Sequence, residues 1–88
     1  PIIEAQACGC RVLTTAKAPM SEVGGEAAFY LADPNNAAAG AMEVEKILAQ
    51  DAAVRAATVR AGIVNAARFS TERMIHDYLA IYREVLDA

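Results

Sequence analysis

Tryptophan is absent, and aromatic residues make up only 6% of the 88-residue chain, so few large side chains are available to fill an interior. A domain of this length buries only about 60% of the surface that its unfolded chain exposes, and its core is expected to be thin. The 56% hydrophobic content does not change this, because much of it is alanine, which favours helix but adds little packing area. No run approaches the roughly 20 consecutive apolar residues of a membrane span, which predicts a soluble chain. Positive charge is sparse and scattered: eight Lys or Arg stand against eleven Asp or Glu, for a formal net charge of −3. This argues against nucleic acid or an anionic membrane as a partner.

Cysteine is limited to Cys8 and Cys10, near an expected helix end where their side chains diverge, which argues against a disulfide between them. A metal site needs about four ligands, and His76 is the only other soft candidate, so neither metal nor cofactor is expected. The pair reads as two buried free thiols in a reducing cytosol, and the expected location is cytoplasmic. The chain opens at Pro1 without an initiator Met or a secretory n-region and h-region, so Pro1 is not expected to be a natural start.

What is present divides into an α/β front and an all-helical back. Residues Ile2 to Gly9 read as a short helix, with Pro1 suited to its first turn and Gly9 to a left-handed C-terminal cap. Arg11–Thr15 reads as a strand, Ala18–Ser21 as a turn, Gly24-Gly25 as a break, and Ala27–Leu31 as a second strand closed by Asp33-Pro34. Two short, largely apolar strands separated by connecting segments fit a buried parallel sheet better than an exposed hairpin. Asn35 or Asn36 can then cap a helix in which Ala37, Ala41, Val44 and Leu48 share one face, opposite Glu43 and Lys46. A second helical segment follows Asp51 and aligns Val54, Ala57, Ala61 and Val64, despite an interior Gly62 that costs about 1 kcal/mol relative to Ala. Ser70 can cap a third helix carrying the stripe Ile75, Tyr78, Tyr82 and Val85. The expected fold class is therefore α/β, with two short parallel strands followed by three helices. A two-stranded parallel sheet leaves both edges bare, so further strands are expected upstream.

The segment Glu4-Ala5-Gln6-Ala7-Cys8-Gly9-Cys10-Arg11-Val12 resembles the donor-site region of retaining glycosyltransferases with the two-domain GT-B fold. This group includes bacterial mannosyltransferases, sucrose synthase and glycogen synthase. In that family a motif of two glutamates runs into a helix ending Ala-Cys-Gly and then a strand. Pro1-Ile2-Ile3-Glu4 matches the second half of the motif, which puts the first glutamate upstream of Pro1. Ser21-Glu22-Val23 with Gly25-Glu26-Ala27-Ala28 is similar to the family's Pro-Glu-Val and Gly-Asp-Ala-Ala. Asp33-Pro34, Val54-Arg55 with Gly62, and Phe69-Ser70 continue the family order across the whole chain. Gln6 stands where Met is common, Arg11 and Ser21 where Pro is common, and Thr71 where Trp is common. These are packing and turn positions, and the donor sugar cannot be read from them.

The resemblance implies the C-terminal part of a Rossmann-like GT-B donor domain, without the acceptor domain. The parent enzyme would transfer a sugar from a nucleoside diphosphate sugar to an acceptor hydroxyl with retention, and the 88 residues alone would be inactive. Glu4 is the implied donor-binding residue, its carboxylate accepting from the two ribose hydroxyls. The backbone N–H groups of Ile2 and Ile3, at the positive end of the helix, are the nearest candidates for a donor phosphate, against an ordinary first-turn role. No catalytic residue is assigned. Glu22 reads as a side chain capping its local turn, and Thr14 and Thr15 carry no stronger claim. His76 has no nucleophile beside it and reads as solvated or packed, and Tyr78 and Tyr82 read as core packing. The competing class is a non-catalytic helical interaction module in which Glu4 is a surface residue. In either case, helix faces stripped of upstream strands are expected to drive self-association.

Overall fold

Three helix starts are set by short polar side chains that accept from a backbone N–H of the first turn. Asn36 Oδ1 accepts from Ala39 at 3.0 Å, Asp51 Oδ1 from Val54 at 2.9 Å, and Ser70 Oγ from Arg73 at 3.1 Å. In a computed structural model that describes all 88 residues, these caps open α3 (Ala37–Leu48), α4 (Ala52–Ala67) and α5 (Thr71–Asp87). Ahead of them lie α1 (Ile2–Ala7), β1 (Leu13–Thr15), α2 (Met20–Gly24), a 3-10 turn at Gly25–Ala27, and β2 (Phe29–Leu31). The strands are parallel, with Leu13 opposite Phe29 and Thr15 opposite Leu31, and no third strand pairs with either edge. The fold is a small α/β arrangement, as expected.

Residues 20–24 depart from the expected turn and form α2. The Pro19 backbone is already helical, and its carbonyl accepts from Val23 at 2.9 Å, so the chain winds once before Gly24 and Gly25 end it. Gly25 takes φ 58°, and a Cβ there would lie 2.7 Å from Asn65 Oδ1, so both conformation and space demand glycine. Gly9 takes the left-handed conformation anticipated for the cap of α1, at φ 83°.

The interior lies where α1 crosses α4. Only five residues are buried: Gln6, Gly24, Gly62, Asn65 and Ala66, and none is a large aliphatic. The helices approach closely at Gly62, where a Cβ would sit 3.4 Å from Gln6 Cβ and Cγ. The stripe expected on α4 is therefore not its inward face. Val54 is 47% exposed and Val64 71%, with Ala57 and Ala61 also exposed, while Thr58, Val59, Gly62, Asn65 and Ala66 turn inward. On α3 the inward face is likewise displaced from Ala37, Ala41, Val44 and Leu48 to Gly40, Glu43 and Ile47. Gly40 packs near Leu31 of β2, and the Arg11 guanidinium binds the Ile47 carbonyl and, at 3.3 Å, Gln50 Oε1.

Two further expectations are corrected. Cys8 and Cys10 are exposed free thiols, because α1 turns Gln6 toward α4 and leaves its C-terminal end at the surface. Tyr78 and Tyr82 are not core residues: every residue of α5 is exposed. The molecule is accordingly extended, with a radius of gyration of 16.3 Å. A compact domain of this length would measure about 12 Å.

Candidate functional site

The N-terminal end of α1 and the segment following β1 meet in a shallow groove of about 280 Å³, lined by Pro1, Ile2, Ile3, Glu4, Pro19, Met20 and Val23. Every residue singled out in the sequence as donor-binding thus falls in one depression. Ile2 and Ile3 are half-buried and supply apolar wall, together with Met20 and Val23 from α2, while Glu4 is exposed at the mouth. As first-turn residues, Ile2 and Ile3 carry N–H groups with no helical acceptor, and no side chain caps them.

The Glu4 carboxylate accepts from the terminal ammonium of Pro1, Oε2 to N, at 2.7 Å. This hydrogen bond first, and then one from its own backbone N–H and the ammonium's charge, hold its carboxyl below the usual glutamate range. A glutamate carboxyl is ionised at neutral pH in any case, and this one is exposed with Oε2 engaged by Pro1. No Lys, Arg or His lines the groove, so it holds no side-chain counter-charge for a diphosphate.

Beneath the groove lies a polar network that the sequence reading did not identify. Gln6 is 1% exposed, and its Nε2 donates to the Gly24 carbonyl at 3.3 Å. Asn65 Nδ2 donates to Gln6 Oε1 at 2.7 Å and to the Val23 carbonyl at 2.8 Å. Arg68 donates to Asn65 Oδ1 from Nε at 2.9 Å and from Nη2 at 2.6 Å, and Nη2 also reaches the Glu22 carbonyl at 3.3 Å. Its guanidinium lies 4.8 Å from the centroid of the Phe69 ring. No buried side-chain nitrogen or oxygen is left without a partner. The network binds α1, α2 and α4 together and so fixes Val23 and Met20 against Ile2 and Ile3. The available signal was a Gln and an Asn within otherwise apolar helical segments, since buried amides persist only where partners satisfy them.

A larger open groove of about 720 Å³ runs between the 3-10 turn and α4, with Glu22, Glu26, Arg60 and Arg68 on its walls. Its charges balance, and Arg68 is already engaged by Asn65, so it shows no unmet preference for one class of ligand. Glu22 is exposed and its side chain caps nothing; only its backbone carbonyl is used, by Arg68. Thr14 and Thr15 lie half-buried in β1. His76 is exposed, with Nδ1 3.3 Å from Asp77 Oδ1. No three His, Cys, Asp or Glu side chains cluster as metal ligands, and no helix is long and apolar enough to cross a membrane. Compared with protein-family models, curated proteins and solved structures, the chain matches none.

Proposed function

We propose that the chain is the C-terminal portion of the donor domain of a retaining GT-B glycosyltransferase, in which Glu4 accepts from the ribose hydroxyls of a nucleoside diphosphate sugar. One observation carries this reading: Glu4, Ile2 and Ile3 line a single groove with Pro19, Met20 and Val23, where β1 hands over to α2. That is the carboxyl end of the strand, the edge at which ligands bind in open α/β sheets. An ionised carboxylate can accept from two neighbouring hydroxyls at once, and the Ile, Met and Val walls suit the apolar face of a nucleoside. The free N–H groups of Ile2 and Ile3 offer the nearest hydrogen bonds to a phosphate. Stabilisation of a leaving diphosphate falls to basic residues outside this groove, in a longer parent protein.

The test is titration of uridine diphosphate and guanosine diphosphate into the isotopically labelled chain. Amide shifts at Ile2, Ile3, Glu4, Met20 and Val23 are expected, and Glu4→Gln should remove them. Absence of any shift at these residues at millimolar nucleotide defeats the nucleotide reading. A second reading, a helical interaction module without a small ligand, draws on the exposed apolar face of α5.

A further inference from the structure

The accessible surface of the chain is 6504 Å². A compact monomer of 9.3 kDa exposes about 5,000 Å². Much of the excess lies on α5, which carries eight apolar residues between Met74 and Leu86, each from 44% exposed (Leu79) to 82% exposed (Leu86). At such exposures each side chain leaves on the order of 100 Å² bare, so the face totals roughly 800 Å², about what one partner of a stable interface buries. Single apolar patches on monomers are smaller, about 300–600 Å².

We infer that this face is an interface between two copies of the chain, formed by antiparallel pairing of α5 with α5 about a twofold axis at Ala80. The apolar positions of α5 are unchanged by reversal about Ala80: Ile75 exchanges with Val85, Tyr78 with Tyr82, Leu79 with Ile81, and Met74 with Leu86. A twofold axis level with Ala80 therefore brings apolar residues to apolar residues in every layer of the pair. In heptad terms Ile75 and Tyr82 take one seam position and Tyr78 and Val85 the other. An antiparallel pair then stacks Ile75 on the partner's Val85 and Tyr78 on the partner's Tyr82. Leu79 and Ile81 flank the axis, and each meets its own symmetry mate. Within one copy the Tyr78 and Tyr82 rings already lie 6.3 Å apart and tilted by 45°, so the dimer gathers four tyrosines at its centre. Arg73, His76, Arg83 and Asp87 fall on the opposite side of the helix and stay in water. The pairing shares no residue with the Glu4 groove, so it stands or fails separately from nucleotide binding.

Sedimentation equilibrium on the full chain should give roughly twice 9.3 kDa at micromolar concentration. Tyr82→Glu should raise the dissociation constant at least a hundredfold with the far-ultraviolet circular dichroism of the folded chain retained. Orientation is read by oxidative cross-linking in a background with Cys8→Ala and Cys10→Ala. Ile81→Cys, beside the axis, should form a disulfide-linked dimer. Leu86→Cys should not, because antiparallel pairing holds the two copies of residue 86 about 18 Å apart along the helices. A wild-type chain that remains monomeric at high micromolar concentration overturns the interface. Efficient cross-linking through Leu86→Cys overturns the antiparallel register.

Discussion

Asn65 donates from Nδ2 to Gln6 Oε1 across 2.7 Å, joining residues 59 positions apart through the most buried side chain of the molecule. The same Asn65 amide binds the Val23 carbonyl and its oxygen accepts from Arg68, so one side chain ties α1, α2 and α4 together. The thin interior is thus held by a satisfied polar cluster as much as by apolar area.

Removing this hub strands its partners. Asn65→Ala leaves Gln6 Oε1 without a donor and out of reach of water, and should destabilise the chain by about 2–3 kcal/mol. Arg68→Ala, at an exposed position, should cost less than about 1 kcal/mol. Urea unfolding of both variants checks this; equal losses would place the hub elsewhere.

Gly62 offers a stabilising substitution. Alanine there gains about 1 kcal/mol of helix propensity. Its Cβ would meet Gln6 Cβ and Cγ at 3.4 Å, at the edge of ordinary van der Waals contact. Gly62→Ala should therefore raise stability by up to about 1 kcal/mol in urea unfolding. A net loss would show that the crossing of α1 and α4 does not yield to a methyl group.

In a chain whose first residue is Pro1, the terminal ammonium donates to the Glu4 carboxylate and lowers its pKa, an effect that any residue joined ahead of Pro1 removes. A carboxylate with a lowered folded pKa contributes stability above its unfolded value, and that contribution fades as pH falls through the depressed folded value. The side-chain carboxyl resonance of Glu4 should therefore titrate below the ordinary glutamate range. Acetylation of Pro1 should raise its midpoint. An unchanged midpoint after acetylation shows that the ammonium is not the cause.

The groove holds one carboxylate and no basic side chain, so the 88-residue chain is expected to bind nucleotide without transferring sugar. Release of free nucleotide from any nucleotide sugar by pure chain, in the presence of acceptor, contradicts this. In a longer parent enzyme Glu4→Ala should lower kcat/KM by an amount equivalent to about 2–3 kcal/mol, because a charged acceptor of ribose hydroxyls is lost. Kinetics within about twofold of wild type remove Glu4 from the donor site.

The order of the strands and of the three long helices was legible in the sequence because it rests on neighbours, whereas the single turn of α2 was not. Asn36 and Ser70 act on N–H groups three residues away, Gly9 relieves a left-handed turn locally, and the β-branched Val12, Thr14 and Thr15 and the aromatic Phe29 and Tyr30 favour extended chain. Glu4, Ile2 and Ile3 were singled out only through a resemblance carried by segments in order along the whole chain. The parallel sense of the strands followed from two short, largely apolar runs separated by connecting segments.

Which faces turn inward was decided by tertiary structure. α4 carries alanine, valine or isoleucine on every side, so its periodicity singles out no face, and the close approach of Gln6 to Gly62 made the choice. The Gln6–Asn65–Arg68 network depends on residues brought together from positions far apart in the chain, which no local pattern contains. The groove has the same origin: Ile2–Glu4 line it only because α2 sets Pro19, Met20 and Val23 beside them. For α5 the sequence determined an amphipathic helix, and the structure showed that its apolar face meets nothing within the chain. Amphipathicity is a property of one helix, whereas burial requires a second surface at the right distance, and only three-dimensional packing supplies or withholds it.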